Sequence, residues 1–289
     1  MNVCIVGLGL LGGSTALGLK AKDSSYRIIG VDSNRDHAAR ALVGEIADKI
    51  MTLEQGVESA DIVILATPVN VIIEQLPRVL DLLPRNAVVT DLGSTKEQIC
   101  LAVDQHLKRG QYVAAHPIAG TERSGPDAAF PELLYHKQMI LCDRERSDIE
   151  ALELVENVFK LKLDMQISYM SAEAHDRHIA YVSHLSHISS FALSTTVLEK
   201  EKDEQSIFAM AGSGFSSTVR LAKSSADMWS PIFTQNTRNV SQALDAYIKN
   251  LQAFKKIIDA QDEEGSHRLI NDANDIRRVL SGIEKEVAR

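Results

Sequence analysis

Apolar runs of four to six residues recur through the first half of the chain, and segments with apolar positions every three or four residues lie between them. This alternation predicts strands buried on both faces and joined by helices. Residues 3–6, 27–31, 61–68, 87–91 and 112–115 read as strands, with Pro68 closing the third. Residues 11–22, 35–43, 69–83 and 96–108 read as helices, with Pro77 as an irregularity. A further strand over 138–142, a helix over 147–160 and a short run at 163–169 follow, after which the pattern is helical to the end. The expected fold is α/β, a doubly wound parallel sheet (Rossmann-like) followed by an all-helical second domain. The boundary falls at residues 1–167 and 168–289.

In the helical half, the helix starting near Ser171 carries no charged residue from Ile179 to Leu193, which predicts burial on most sides. At 100° per residue its four histidines, His175, His178, His184 and His187, cannot converge on one metal ion, so no metal is expected. Ala180, Ser183, His184, His187 and Phe191 share one face, as the wall of a polar pocket or as satisfied core histidines. Val240, Leu244, Tyr247, Leu251, Phe254 and Ile258 form one heptad-like seam. Leu269, Ala273, Ile276, Leu280, Ile283 and Val287 form another, after a turn at Asp262–Gly265. The seams could close on each other as an antiparallel hairpin; helices of this length favour a homodimer interface.

Composition narrows the class. The chain is 45% hydrophobic and 24% charged, as in ordinary soluble proteins. A net charge of −8 without a basic cluster argues against nucleic acid or an anionic membrane as partner. No run approaches the roughly 20 apolar residues of a membrane helix. Strand-like sequence begins at Asn2, so no leader is expected, and Cys4, Cys100 and Cys142 suit buried thiols in a reducing cytoplasm. An anionic small-molecule substrate would need locally placed arginines.

The chemistry gathers at the strand ends. Gly7-Leu8-Gly9-Leu10-Leu11-Gly12 stands between the first strand and its helix, where a glycine turn lets backbone approach a pyrophosphate. Asp32 ends the second strand, 20 residues past Gly12, at the place of a ribose-binding acid. Its carboxylate would repel a 2′-phosphate, which favours NAD over NADP, although Arg35 lies close by. Thr67, Ser94 and His116 fall just past strand ends, on the rim of the glycine turn. Ser94 could cap the next helix or contact a ligand. Pro117 stops the strand that ends in His116, and Gly120-Thr121-Glu122-Arg123 turns away from it. His116 is either a general base or a histidine that merely ends a strand. Further on, a glycine-serine turn opens a helix whose second turn presents Arg220, and Trp229 is the one tryptophan.

Taken in order, Gly7-x-Gly9-x-x-Gly12, Asp32, Asp91-Leu92-Gly93-Ser94-Thr95-Lys96, His116-Pro117-Ile118-Ala119-Gly120-Thr121-Glu122, Ser183-His184-Leu185-Ser186-His187, and Gly214-Phe215 with Arg220 and Trp229 resemble the prephenate/arogenate dehydrogenase family over nearly the whole chain. The resemblance implies NAD-dependent oxidative decarboxylation of prephenate in tyrosine biosynthesis. It assigns His116 as the base and Ser94 as its hydrogen-bonding partner or that of the substrate hydroxyl. Arg220 would clamp a carboxylate. His187, His184 and Ser183 would line the pocket, Thr121 and Glu122 its edge, and Trp229 would close it. Gly7, Gly9, Leu10, Leu11, Gly12, Asp32 and Thr67 would hold NAD. Ser186 stands where the family commonly has proline, and Ser216 where it often has a basic residue. Arogenate dehydrogenation and a non-catalytic NAD-binding sensor are the alternatives. A β-hydroxyacid dehydrogenase would want a helix lysine in a glycine-rich setting, and a pyrroline carboxylate reductase gives His116 no role.

Overall fold

The structure is a computed structural model and describes residues 1–201 and 205–280. Strand and helix alternate from the start: β1 (Asn2–Val6), α1 (Leu10–Lys22), β2 (Arg27–Val31), α2 (Arg35–Val43), β3 (Lys49–Ile50), α3 (Leu53–Glu58), β4 (Ile62–Leu65), α4 (Val69–Leu82), β5 (Val88–Asp91) and α5 (Glu97–Ala102). β6 (Tyr112–Pro117), β7 (Gln138–Cys142), α6 (Ile149–Glu156) and β8 (Gln166–Met170) complete a sheet of order β3-β2-β1-β4-β5-β6-β7-β8. β1 pairs with β2 on one side and with β4 on the other. The order reverses there, which opens a crevice at the carboxyl ends of the strands.

Side chains alternate across each strand, so one buried on both faces must be apolar throughout. Val3, Ile5, Ile28, Ile62, Ile64, Val113 and Ala115 pack into the core under α1, with Ala16 and Leu19. Cys4, Val6, Ile29, Val63, Leu65, Val89 and Ala114 pack into the other core, under Ile72, Leu76, Val79 and Leu80 of α4. Each fully buried leucine or isoleucine contributes about 1.5–3 kcal/mol. Burial also pushes the Cys4 and Cys100 thiols up to about 12.

Three sequence expectations are corrected. The sheet is not wholly parallel: β7 runs antiparallel to β6, with His116 opposite Ile140, and β8 then runs parallel to β7. The chain between β6 and β7 holds only short 3-10 turns, Pro126–Ala128 and Pro131–Leu134, and no crossover helix, so it returns antiparallel. The helix expected over 96–108 stops at Ala102. His106 and Lys108 turn back to the end of α4, where Lys108 Nζ donates to the carbonyls of Asp81 (3.0 Å) and Leu83 (2.7 Å). Those carbonyls have no partner within their own helix, so Lys108 satisfies an end that α4 leaves open.

Nor is the segment 179–193 buried on most sides. α7 (Ala172–Ile179) passes through a π-helical turn, Ala180–His184, into α8 (Leu185–Glu201). Only the inner face is buried, at Ile179, Ala180, His184 and Ser190, while Tyr181 and Val182 are 49% and 74% exposed. Absence of charge makes burial tolerable on every face without requiring it. α9 (Ser213–Val219), a 3-10 turn (Arg220–Lys223) and α10 (Ala226–Gln235) follow.

Two compact units are distinguished, Met1–Thr237 and Arg238–Arg289. The second holds all but the first residue of α11 (Thr237–Asp259) together with α12 (Glu263–Asn274), whose N-terminus is capped by Asp262 accepting from the Gly265 N–H at 2.8 Å. Along the predicted seams, Leu251, Ile258, Ile276 and Leu280 are all about half exposed or more. Ile283 and Val287 lie outside the described residues. Among the described residues, no helix is long and apolar enough to cross a membrane.

Candidate active site

At the carboxyl end of β1 the chain turns too tightly for side chains. Gly7 has φ +95°, and a Cβ there would lie 2.7 Å from the Ala66 carbonyl oxygen; one at Gly12 would lie 2.0 Å from the carbonyl oxygen of Gly7. Asp32, at the end of β2, fastens the turn by accepting the Leu8 N–H and the Asn34 N–H, each at 2.8 Å. Each carboxylate oxygen keeps a second lone pair for a ligand hydroxyl.

The same region fits a dinucleotide. Gly9 sits at the N-cap of α1 and offers no side chain to its first N–H groups, which are left for an anion. A Cβ at Gly9 would meet no described atom within 4 Å, so backbone is open to a ligand. Thr67 Oγ1, on the cleft wall, is buried without a hydrogen-bond partner among the described residues.

One cleft of about 600 Å³ collects most of the predicted site. Gly9, Leu10, Leu11, Thr67, Ser94, His116, Thr121, Glu122, Ser183, His187, Arg220 and Trp229 all line it. Gly7, Gly12 and Asp32 do not line it; they form and brace the glycine turn. His184 does not reach the cleft: it is fully buried, with its ring centroid 5.8 Å from that of Trp229. Ser94 is not needed as a cap, because the Asp176 carboxylate accepts the Lys96 N–H (2.7 Å) and the Glu97 N–H (3.0 Å) at the start of α5.

His116 is 8% exposed, at the end of β6. Its Nδ1 lies 2.8 Å from His175 Nε2, and His175 Nδ1 lies 2.8 Å from Asp176 Oδ1. Burial, then His175, Lys96 and His184, hold the His116 pKa well below the usual histidine value. Beneath it, fully buried Lys96 pairs with Asp91 and donates to the Ala115 carbonyl at 2.8 Å. Asp91 also accepts from the Tyr112 hydroxyl (2.7 Å) and from the N–H groups of Gly93 (2.9 Å) and Ala115 (3.2 Å). The result is a rigid pedestal that fixes both His116 and the Ser94 loop.

Elsewhere in the cleft, Arg220 lies 3.5 Å from the Glu122 carboxylate. The Glu122 pKa is lowered by its own backbone N–H, then by Arg220, Arg123 and Lys223. The Arg220 side chain is 56% exposed, so solvent reaches the guanidinium. Trp229 stacks on His187 with ring centroids 3.6 Å apart, and His187 Nδ1–H donates to the Ser183 carbonyl at 3.0 Å. Asn236 Nδ2 donates to His184 Nδ1 at 3.3 Å and to the Asp176 carbonyl at 2.7 Å, tying α10 to α7.

Sequence reasoning assigned no role to His175, Asp176, Lys96 or Arg123. A signal for His175 was present: it shares the inward stripe of α7 with Ala172 and Ile179, at helical spacing. Its partner is 59 residues away in sequence, and no local pattern reports that. Among the described residues, no group of three or more His, Cys, Asp or Glu side chains is arranged to hold a metal ion.

Comparison with known proteins agrees with this geometry. A family model described as "Prephenate dehydrogenase, nucleotide-binding domain" matches residues 15–164, and one described as "Prephenate dehydrogenase, dimerization domain" matches residues 171–272. The prephenate dehydrogenase of Bacillus subtilis (strain 168) is 32% identical over 284 residues, which cover 96% of this chain and 76% of that protein. The crystal structure of prephenate dehydrogenase from A. aeolicus, in complex with hydroxyphenyl propionate and NAD+, superimposes with a TM-score of 0.85 at 32% identity and 98% coverage of each chain. Synechocystis arogenate dehydrogenase gives a TM-score of 0.76 at 27% identity, covering 97% of this chain and 100% of that one. The glycine turn, the strand-end histidine and the helical half therefore belong to one pattern, and the chain is a member of the prephenate dehydrogenase family, an oxidoreductase family.

Proposed function

We propose that the chain catalyses the NAD-dependent oxidative decarboxylation of prephenate to 4-hydroxyphenylpyruvate, a step of tyrosine biosynthesis. One observation carries the reading: His116 shares a single cleft with the glycine turn, Ser94 and Arg220. The ligands of the A. aeolicus relative, NAD+ and a hydroxyphenyl acid, support it. In this division, residues 1–167 hold the dinucleotide, and residues 168–289 supply the rest of the pocket and the pairing surface. Buried, unpaired thiols suit a cytoplasmic setting.

The dinucleotide supplies the hydride acceptor when bound; Gly7, Gly9, Gly12, Leu10 and Leu11 would seat its phosphates, Asp32 its ribose, and Thr67 a nearby polar atom. His116 takes the proton of the substrate hydroxyl, and Ser94 orients that hydroxyl. Neutral imidazole is the required form, and burial keeps it neutral. Arg220 exchanges Glu122 for a substrate carboxylate. Thr121, Ser183 and His187 line the pocket, and Trp229, backed by His184, keeps water from one side.

A steady rise in NADH absorbance on adding prephenate, with release of carbon dioxide, is the expected result. NAD should be used with a much higher kcat/KM than NADP, and Asp32→Ser should narrow the gap; equal use by the unaltered chain would defeat the assignment of Asp32. Arogenate is the second reading, favoured by Glu122 in the cleft, whose carboxylate suits an ammonium. Its kcat/KM relative to prephenate decides between them. NAD binding without turnover of either substrate would indicate a sensor.

The chain carries the family's dimerization domain, and a homodimer through the C-terminal helices is the assembly that would cover Leu251 and Ile258. Light scattering should give twice 31.7 kDa. Replacing both residues with Glu should halve that mass. A single-chain mass for the unaltered protein would overturn this arrangement.

A further inference from the structure

The proposed base touches a second buried imidazole. His116 and His175 meet edge to face at 72°, and Asp176 stands behind His175. Hydrogen-bond direction in this chain is set from its far end. The Asp176 carboxylate only accepts, since its oxygens already take two backbone N–H groups. His175 must therefore carry its hydrogen on Nδ1, which leaves Nε2 bare. His116 must then donate from Nδ1, and its own Nε2 is left bare.

We propose that His175 is a positioning residue for the reaction: it fixes the His116 tautomer with bare Nε2 and then receives the Nδ1 proton when His116 takes one from substrate. This rests on the oxidative decarboxylation proposed above. The substrate O–H bond breaks as N–H forms at His116 Nε2, and the His116 Nδ1–H bond breaks as N–H forms at His175 Nε2. The carbinol C–H pair leaves as hydride to NAD. Electrons of the bond to the departing carbon dioxide complete the aromatic ring. The proton then returns along the same path to the ring oxygen, so the product is a phenol and no proton is released. A step that borrows a proton and gives it back is served by a buried holder closed to water; both His175 and Asp176 are 1% exposed.

Electrostatics chooses between the two imidazoles. Lys96, with Asp91 paired to it, lies on the sheet side of His116 and bonds the carbonyl of its neighbour Ala115. From the helical side the titratable neighbours are Asp176, in contact with His175, and His184. A positive charge is therefore opposed beside Lys96 and compensated beside Asp176. A proton handed along the chain is therefore better placed on the ring that Asp176 backs than on the one beside Lys96.

Heteronuclear NMR of the 15N-histidine-labelled full chain tests this without substrate. At neutral pH, His116 should show Nδ1–H with Nε2 bare. On acidification it should switch to the Nε2–H tautomer as His175 becomes doubly protonated, in a single step. An Nε2–H tautomer at neutral pH, or an imidazolium at His116 with His175 neutral, overturns the proposal. Asp176→Asn also disturbs the start of α5, so His175→Gln is the kinetic variant. Its amide oxygen still accepts from His116 but holds no proton. It should lower kcat about 10- to 100-fold, less than loss of the base itself at about 10²–10⁴-fold, with KM little changed. The acidic limb of kcat/KM should move to lower pH, because the proton would then have to rest on buried His116 itself, beside Lys96 and without Asp176 behind it. A lower kcat with an unmoved limb, or an unchanged kcat, overturns it. Inactivity of the unaltered chain towards prephenate and arogenate would remove the proposed reaction and leave the NMR test standing.

Discussion

His116→Asn is expected to lower kcat by about 10²–10⁴-fold, the usual contribution of a positioned acid or base. The imidazole is held from two sides, by β6 and by the 2.8 Å contact from Nδ1 to His175, so its basic nitrogen is not free to wander. Asparagine has a polar group of similar reach and can still hydrogen-bond the substrate hydroxyl. KM for substrate and for NAD should therefore change far less than kcat. The pH dependence follows from the sign of the shift. A lowered pKa means that the neutral ring persists through neutral pH, so kcat/KM should stay level there and fall only on acidification. In the variant that limb should disappear. Near-normal kcat would move the search for the base to His187, because His184 is sealed from the cleft.

Arg220→Ala should raise KM for prephenate about 10- to 100-fold and leave NAD binding nearly unchanged. A hydrogen bond to a charged group is worth about 1.5–3 kcal/mol, and every 1.4 kcal/mol is tenfold. The lower part of that range is expected, since the guanidinium is 56% exposed and solvent screens it. Lys should rescue only in part, because an ammonium cannot make the bidentate fork. Glu122→Gln should act in the opposite direction, by freeing Arg220 from its present partner at 3.5 Å. An unaltered KM in Arg220→Ala would make Arg123, on the same cleft wall, the clamp.

Much of this site was legible because its parts sit at strand ends. Val3 to Val6 could be read as a strand from apolar residues alone, and the glycine spacing then fixed where backbone turns beneath a ligand. α2 follows its predicted bounds, 35–43, because Asn34 offers a side-chain cap to the N–H groups of Asp36 and His37. What could not be read depends on contacts between distant residues. The antiparallel entry of β7 comes from the lack of a crossover helix. The early stop of α5 comes from Lys108 reaching the end of α4. A helix read at a constant 100° per residue missed the π-helical turn at Ala180–His184, and with it the separation of His184 from His187. The His116–His175–Asp176 chain depends on β6 and α7 meeting, which a single sequence does not encode locally.

The buried Lys96–Asp91 pair bears on how such a site can change over generations. Losing either charge alone would strand the other, at a cost of about 3–5 kcal/mol where a whole fold is stable by about 5–15 kcal/mol. An apolar pair of similar volume could serve the core as well, yet either two-step path to it runs through a poorly folded single mutant. Tyr112, Gly93 and Ala115 lean on the same carboxylate, which deepens that valley. Substrate preference can drift by single steps at open positions such as Arg123 or Ser216, while the pedestal under His116 is inherited intact or lost with the protein.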